Sequence, residues 1–345
     1  MFDRLIGNDR VKEVFKRLIK SQRVPSSLLF AGEDGVGKKQ FAFELAKSFL
    51  CQNLQNSESC GDCQTCRRAS KFNFPKSDDR DAHKQLIFSD HSDLGLVIPY
   101  NRNILVDAIR DLEKEANYRP YEATARFFII EEADKMNDAA SNALLKTLEE
   151  PPPSSYIFLI TSRPDSLLQT IRSRCQVVRF APVKTKKIEE HLLSTKKFSP
   201  SDAELLSKLS RGSIGRALET DLQIFKNGRE SMLKVLESLF FREDRAALLQ
   251  IAEEMSDAKL KDEFETRLET LQMLIHDVWS LHLGKTKENL VNSDIYTDLE
   301  KFARNSDSKR LSKWMNEIET LRENLNINLN RKIATDALFM QMANK

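Results

Sequence analysis

The sequence predicts an α/β domain, a parallel sheet with helices on both faces, followed by segments that are helical throughout. Three observations carry this. Strands alternate with helices up to about residue 181, the pattern of βαβ units. A glycine-rich loop follows one apolar strand and opens a helix. All ten prolines lie at or before Pro200, and only Gly212, Gly215, Gly228 and Gly284 of the ten glycines come after it, so the back of the chain lacks helix breakers.

The elements follow in order. Val11, Val14, Phe15, Leu18 and Ile19 form the apolar stripe of an amphipathic helix. A short apolar strand, 28–31, runs into GEDGVGKK at 32–39. The next helix buries Phe41, Leu45 and Phe49 on one face, and a polar loop with four cysteines follows it. Ile104, Ala108, Ile109 and Leu112 mark another helix. The most apolar strand, 126–130, ends at Glu131. A helix with Ala140, Ala143, Leu144 and Leu148 is stopped by Pro151, Pro152 and Pro153. Strand 156–161, a helical piece near Leu167 and Leu168, and strand 176–180 complete the first part.

From residue 182 the pattern is helical, with a small bundle expected to end near Gly228. A second bundle carries Phe264, Leu268, Leu271, Ile275 and Val278, and its last helix includes Ile333, Ala337, Leu338 and Met342. The expected division is 1–181, 182–228 and 229–345, in keeping with 345 residues being too many for one ordinary core.

Composition narrows the function. Hydrophobic residues make up 40% and charged residues 31%, as in a globular protein with a charged surface. The net charge of +2, from 54 basic and 52 acidic residues, argues against general nucleic-acid binding. No apolar run is long enough for a bilayer, and MFDRLIGNDR lacks the apolar stretch of a secretory signal. A cytoplasmic protein with no membrane partner is expected.

Gly32, Gly35, Gly37 and Lys38 have the setting of a phosphate-binding loop. Glycines let backbone amides turn toward phosphate, the helix start adds its dipole, and Lys38 adds a charge. The pattern then requires Ser or Thr, whose hydroxyl holds Mg²⁺, but Lys39 stands there. Glu131 and Glu132 occupy a strand end where an Asp-Glu pair is usual, and Glu132 retains a carboxylate able to polarise water. Binding of ATP or ADP is left open, Mg²⁺ is poorly held, and hydrolysis by this chain is expected to be weak or absent.

Cys51, Cys60, Cys63 and Cys66 are spaced C-x₈-C-x₂-C-x₂-C, with Gly61 easing the turn. Four thiolates in a short loop close a tetrahedral site around Zn²⁺ with no open position, hence a structural one. The loop has little apolar content, so metal would supply its fold. His83 and His91 are not needed as ligands.

Strand 156–161 ends at Thr161 and Ser162, a position that places a polar group near a γ-phosphate in P-loop folds. Arg172 and Arg174 precede the next strand. Spacing alone leaves open a solvated arginine pair or a finger reaching a neighbouring subunit's phosphates.

Together these residues resemble the bacterial DNA polymerase III clamp-loader family, in its delta-prime branch. The matching pieces are 5–8, the phosphate loop, the four-Cys insertion, Asp90-His91-Ser92-Asp93-Leu94, the EEAD strand end, 142–153, Ser173-Arg174-Cys175 and 212–217. Residues 326–329 are similar to part of that family's final helix. The resemblance implies an AAA+ module at 1–181 with its zinc insertion at 51–66, a helical lid at 182–228 with Arg216 as sensor-type arginine, and a collar at 229–345. It implies that Arg174 acts in trans on a motor subunit's ATP. The implied partners are motor and delta-like subunits in a pentameric ring, the sliding clamp, and primed DNA through the complex. Lys39 favours the delta-prime branch, because motor subunits keep a hydroxyl after the loop lysine. Two further readings are a self-sufficient ATPase motor of the same fold and a zinc-bearing DNA-binding module.

Overall fold

The computed structural model describes residues 2–257, 263–325 and 330–344. Residues 326–329, similar to a final helix by sequence, lie outside them. The chain divides into two compact units, Met1–Ser194 with Ser210–Leu218, and Thr195–Leu209 with Glu219–Lys345. Segment 182–228 is thus shared between the two.

The first unit opens with α1 (Asp9–Ser21), β1 (Ser27–Ala31), α2 (Lys38–Leu50) and the short α3 (Gln64–Ala69). β2 (Ile87–Phe88), β3 (Leu94–Val97), α4 (Val106–Ala116), β4 (Arg126–Ile130), α5 (Asp138–Glu149), β5 (Ser155–Thr161), α6 (Gln169–Arg172), β6 (Gln176–Arg179) and α7 (Thr185–Ser194) follow. The sheet order is β2-β3-β4-β5-β1-β6. All pairings are parallel except the antiparallel edge pair of β2 with β3. That antiparallel strand modifies the expected all-parallel sheet, and neither β2 nor β3 stands out in the sequence.

Strand alternation sends side chains to two cores. Leu28, Phe30, Phe127, Ile129, Phe158 and Ile160 meet α1 and α2 through Phe15, Phe41 and Leu45. Leu29, Phe128, Ile130, Ile157 and Leu159 meet α4 and α5 through Ile109, Leu112 and Leu144 on the other face. Helix α2 is buried almost all round, with Glu44, Lys47 and Ser48 inside as well as Phe41 and Leu45. The one-face reading of that helix is therefore too narrow.

The second unit comprises α8 (Pro200–Leu209), α10 (Leu222–Glu237), α11 (Arg245–Met255), α12 (Phe264–His282), α13 (Tyr296–Arg304), α14 (Ser308–Asn324) and α15 (Arg331–Ala343). α9 (Ile214–Glu219) starts within Ser210–Leu218, a strap that belongs to the first unit. α12 buries Phe264, Leu268, Leu271, Ile275 and Val278 as its spacing predicts. No helical bundle ends at Gly228, which lies in the middle of α10. In α15 the inward face is Thr335, Leu338, Phe339 and Met342, while Ile333 and Ala337 are exposed. Leu338 and Met342 are common to the expected and observed faces, while Thr335 and Phe339 take the places given to Ile333 and Ala337. Trp314 is buried with its indole N–H donating to Met342 O at 2.9 Å. Among the described residues no helix is long and apolar enough to cross a membrane.

Candidate functional site

The parallel order places the ends of β1, β4 and β5 side by side, the edge where ligands bind in open α/β sheets. β1 delivers the phosphate loop, with Gly35 and Gly37 at φ +73° and +97°, values that favour glycine. Lys38 opens α2, and its ammonium donates to Gly32 O and Glu33 O at 2.7 Å each. Burial lowers the Lys38 pKa, opposed by Asp34, Asp134 and Glu33.

A strap closes on this loop. Gly215 N donates to Gly35 O at 2.8 Å. A Cβ added at Gly35 would lie 2.2 Å from Ser213 Oγ, and one at Gly215 would lie 3.0 Å from Gly35 Cα. Two backbones approach here with no room for a side chain. Ser213 Oγ accepts from Arg216 N at 3.1 Å, which holds Arg216, an exposed residue, in the first turn of α9. On the same side Asn8 is fastened to Ala181 by two hydrogen bonds, Nδ2 to O at 3.2 Å and Oδ1 from N at 2.9 Å.

Lys39 is brought to Glu131. The ammonium and carboxylate form an ion pair at 2.5 Å, joining the first turn of α2 to the end of β4. Burial raises the Glu131 pKa, and Lys39 pulls it back down. The Lys39 ammonium also lies 5.9 Å from the Phe43 ring centre and 5.5 Å from that of Phe74, within cation–π range. Glu132 takes a left-handed backbone, φ +46°, and pairs with Lys135. Ser162 is half-buried just past β5.

The sequence reading missed what Thr161 does. Its hydroxyl donates to Asp134 Oδ1 at 2.7 Å, and Arg163 donates to Asp134 Oδ2 at 2.8 and 3.0 Å. Burial would raise the Asp134 pKa, but these two partners hold it below the usual carboxylate range. The signal was the Asp of EEAD, three residues past the acid that drew notice.

The four cysteines converge. Their sulfurs all lie within 4.8 Å of one another. Neighbouring pairs are 3.7 Å (Cys51–Cys60) and 4.0 Å (Cys51–Cys63 and Cys60–Cys66) apart. Four Zn–S bonds of about 2.3 Å require sulfur separations near ~3.8 Å, so the donor set fits a tetrahedral metal ion. Amides of Cys60, Cys63 and Cys66 point at the sulfurs of Cys51, Cys60 and Cys63 at 3.3–3.4 Å. Burial works against the Cys63 thiolate, yet the Cys66 amide and neighbouring groups bring its pKa down to about 6. The module is moored to α2 by Ser59, whose amide donates to Ser48 Oγ and whose hydroxyl donates to Glu44 Oε2, each at 3.0 Å. His83 and His91 are buried outside the cluster, His83 bonded to Asp79 O and His91 accepting from Asp93 N.

Arg174 sits just past α6 and before β6, the edge strand. Its side chain is 34% exposed, pairs with Glu149 at 2.6 Å and donates to Thr170 O at 3.0 Å. Glu149 closes α5, so the triplet 173–175 meets the end of segment 142–153. Arg172 pairs separately with Asp165.

A phosphate loop at the head of this sheet, closed by a glycine strap, defines a P-loop protein of the AAA+ fold class. The family described as "DNA polymerase III, delta subunit" matches residues 7–184, more than half of the chain, and "DNA polymerase III, delta subunit, C terminal" matches residues 224–342. The chain belongs to this DNA polymerase III delta-subunit family. DNA polymerase III subunit delta' of Bacillus subtilis is 30% identical over 322 residues, 93% of this chain and 92% of that one. DNA polymerase III subunit delta' of Escherichia coli is 29% identical over 317 residues, 90% of this chain and 87% of its own. A DNA polymerase III gamma subunit-related protein of Thermotoga maritima, solved by crystallography, aligns over 96% of this chain and 98% of its own, with 20% identity and a TM-score of 0.41.

Proposed function

We propose that this chain is a delta-prime-like subunit of the clamp loader of a bacterial replicative DNA polymerase, and that it supplies Arg174 in trans to an adjacent ATPase subunit. The observation that carries the reading is Arg174 itself. It stands solvent-exposed beside the sheet's edge strand, held by one surface carboxylate, Glu149. A guanidinium in that position is available to a neighbour's phosphates at the cost of a weak surface ion pair.

The rest of the reading is supported by the likeness to delta' subunits of DNA polymerase III. The AAA+ module at 1–181 is followed by a helical lid that ends before α10 and by a collar from α10 onward that joins motor and delta-like subunits in a pentameric ring. The assembly loads a sliding clamp onto primed DNA in the cytoplasm, and DNA contact runs through the complex. Zn²⁺ is held by Cys51, Cys60, Cys63 and Cys66, where its part is to fix the fold of the insertion. The loop Gly32–Lys38, with Ser162 and Arg216 nearby, takes ATP or ADP. Its own hydrolysis is weak or absent because Lys39 occupies the hydroxyl position and pairs with Glu131. The same ion pair weighs against a self-sufficient motor.

The test is Arg174→Ala in a reconstituted loader. DNA- and clamp-stimulated ATP hydrolysis falls while the subunits still assemble. Unchanged hydrolysis removes Arg174 from the mechanism.

A further inference from the structure

The last turns of α2 bury two charged side chains. Glu44 is 9% and Lys47 7% exposed, and they form an ion pair at 2.5 Å. Well-packed apolar residues in place of a buried ion pair are often as stabilising or more so, so stability does not explain this one. What sets the pair apart is where its remaining hydrogen bonds go. Glu44 Oε2 accepts from the hydroxyl of Ser59, the residue before Cys60, at 3.0 Å. Ser48 Oγ accepts from the Ser59 amide at 3.0 Å and donates to Glu44 O at 2.7 Å. Lys47 Nζ donates to Ser70 Oγ at 3.4 Å, and that hydroxyl donates to Cys66 O at 2.8 Å. Cys51 is the residue that ends α2. Three of the four thiols are therefore placed from one stretch, 44–51. Cys51 follows the helix directly, Cys60 is held through Ser59, and Cys66 through Ser70. Cys63 is set within the loop, its sulfur accepting from Cys66 N at 3.4 Å.

We propose that Glu44 and Lys47 are positioning residues for the metal ion, holding the arms of the four-Cys loop at the separation a tetrahedral ion requires. This rests on the reading that the four thiols take Zn²⁺, and it adds that the affinity is set in part by a carboxylate and an ammonium acting through two serines. The geometry favours such a role over simple packing. Each charged group points to one flank of the cluster, the carboxylate to the residue before Cys60 and the ammonium to the serine that grips the Cys66 carbonyl. The two are one turn apart and tied to each other, so the arms share a single rigid anchor. Groups that orient metal ligands without touching the ion typically change its affinity by about 10–100-fold.

The test is the Zn²⁺ affinity of the full, reduced chain, measured by competition with a chromophoric chelator, with the visible spectrum of the Co²⁺-loaded chain as a second readout. Glu44→Leu with Lys47→Met puts apolar residues in place of the ion pair, and the metal-free chain melts as wild type does. Its Zn²⁺ affinity falls by about tenfold or more, and the sulfur-to-cobalt charge-transfer band loses intensity. Glu44→Gln with Lys47→Met keeps an acceptor for Ser59 and recovers part of the affinity. Ser59→Ala weakens Zn²⁺ binding in wild type and adds nothing in the Leu/Met chain. An affinity within about threefold of wild type in the Leu/Met chain, well short of that range, overturns the proposal. So does a Ser59→Ala effect of equal size in both backgrounds. If the Leu/Met chain does not fold, Ser59→Ala in wild type decides: a loss of about tenfold upholds the proposal and an unchanged affinity overturns it. Wild type that takes up no Zn²⁺ overturns it too, together with the zinc reading. The clamp-loader reading is decided separately, by Arg174→Ala in the assembled loader.

Discussion

Asp93 and Arg126 lie side by side with both side chains fully shielded from solvent, the guanidinium Nε 3.5 Å from Asp93 Oδ1. Asp93 also accepts from the backbone amides of Tyr121, Glu122 and Ala123 at 2.8–3.0 Å. Arg126 donates to Glu115 O and Oε2, and its guanidinium lies 4.9 Å from the Tyr121 ring. One residue thus fixes the start of β3 to the loop that leads into β4. Removing one member leaves the other charged and buried, which costs about 3–5 kcal/mol. Asp93→Ala is expected to lower the unfolding free energy read from urea melts by that amount, while replacing both partners with apolar residues recovers part of it. A loss below about 1 kcal/mol would show that the pair is not isolated from water.

His91 gives the chain a pH dependence. Burial lowers its pKa from the ordinary 6.5, opposed by Glu122 and Asp93. The folded state therefore binds this proton less readily than the unfolded state. The stability it confers is fully present above about pH 6.5 and is lost as pH falls through the lowered folded value. Denaturation midpoints at pH 7.5 and 5.5 should converge in His91→Gln relative to wild type. Equal slopes in the two proteins would remove His91 as the cause.

Gly35 faces Ser213 and Gly215 at a positive φ, so Gly35→Ala meets both backbone strain and a collision. A cost of about 1–3 kcal/mol is expected. Proteolysis of the strap 210–218 should quicken, read by mass spectrometry of the fragments. Ser213→Ala in the same chain relieves the collision and leaves the strain.

Cys60→Ser opens one corner of the sulfur tetrahedron. Metal content should fall from about one ion per chain to near zero, with proteolytic cuts appearing between 51 and 66. The sheet signal in circular dichroism persists, because the cores of the first unit are built by other residues. Full metal content in Cys60→Ser would place the ion elsewhere.

Arg174→Lys keeps a charge but not the planar fork. If a guanidinium is what the neighbouring phosphates need, lysine fails to substitute, and stimulated hydrolysis at the facing site stays down by about tenfold or more, well inside the ~10³–10⁵ that such fingers contribute. Recovery of hydrolysis by lysine would indicate a role for charge alone.

Local patterns were legible. The loop glycines, the cysteine spacing and the amphipathic stripes of α1 and α12 each lie within one short stretch, and each element forms where that stretch predicts. What escaped depends on pairing across the fold. β3 is four residues with a glycine inside, and its strand character comes from β4, some thirty residues on. Lys39 and Glu131 both stood out singly, but their contact requires β4, β5 and β1 to be neighbours in that order. Asp134 turned to Thr161 and Arg163 for the same reason. Phe339 in α15 was overlooked because the stripe was drawn through Ile333, which faces solvent.

The strap has a practical consequence for dissecting this protein. The path of the chain passes from one unit to the other at 194/195, 209/210 and 218/219. A fragment cut after residue 194 keeps every strand of the sheet yet forfeits Ser213, Gly215 and the amide that caps the phosphate loop. No single truncation isolates the first unit intact. Shortened versions would report on a molecule with its own clasp removed, and a permuted or internally linked gene is the way to obtain that half whole.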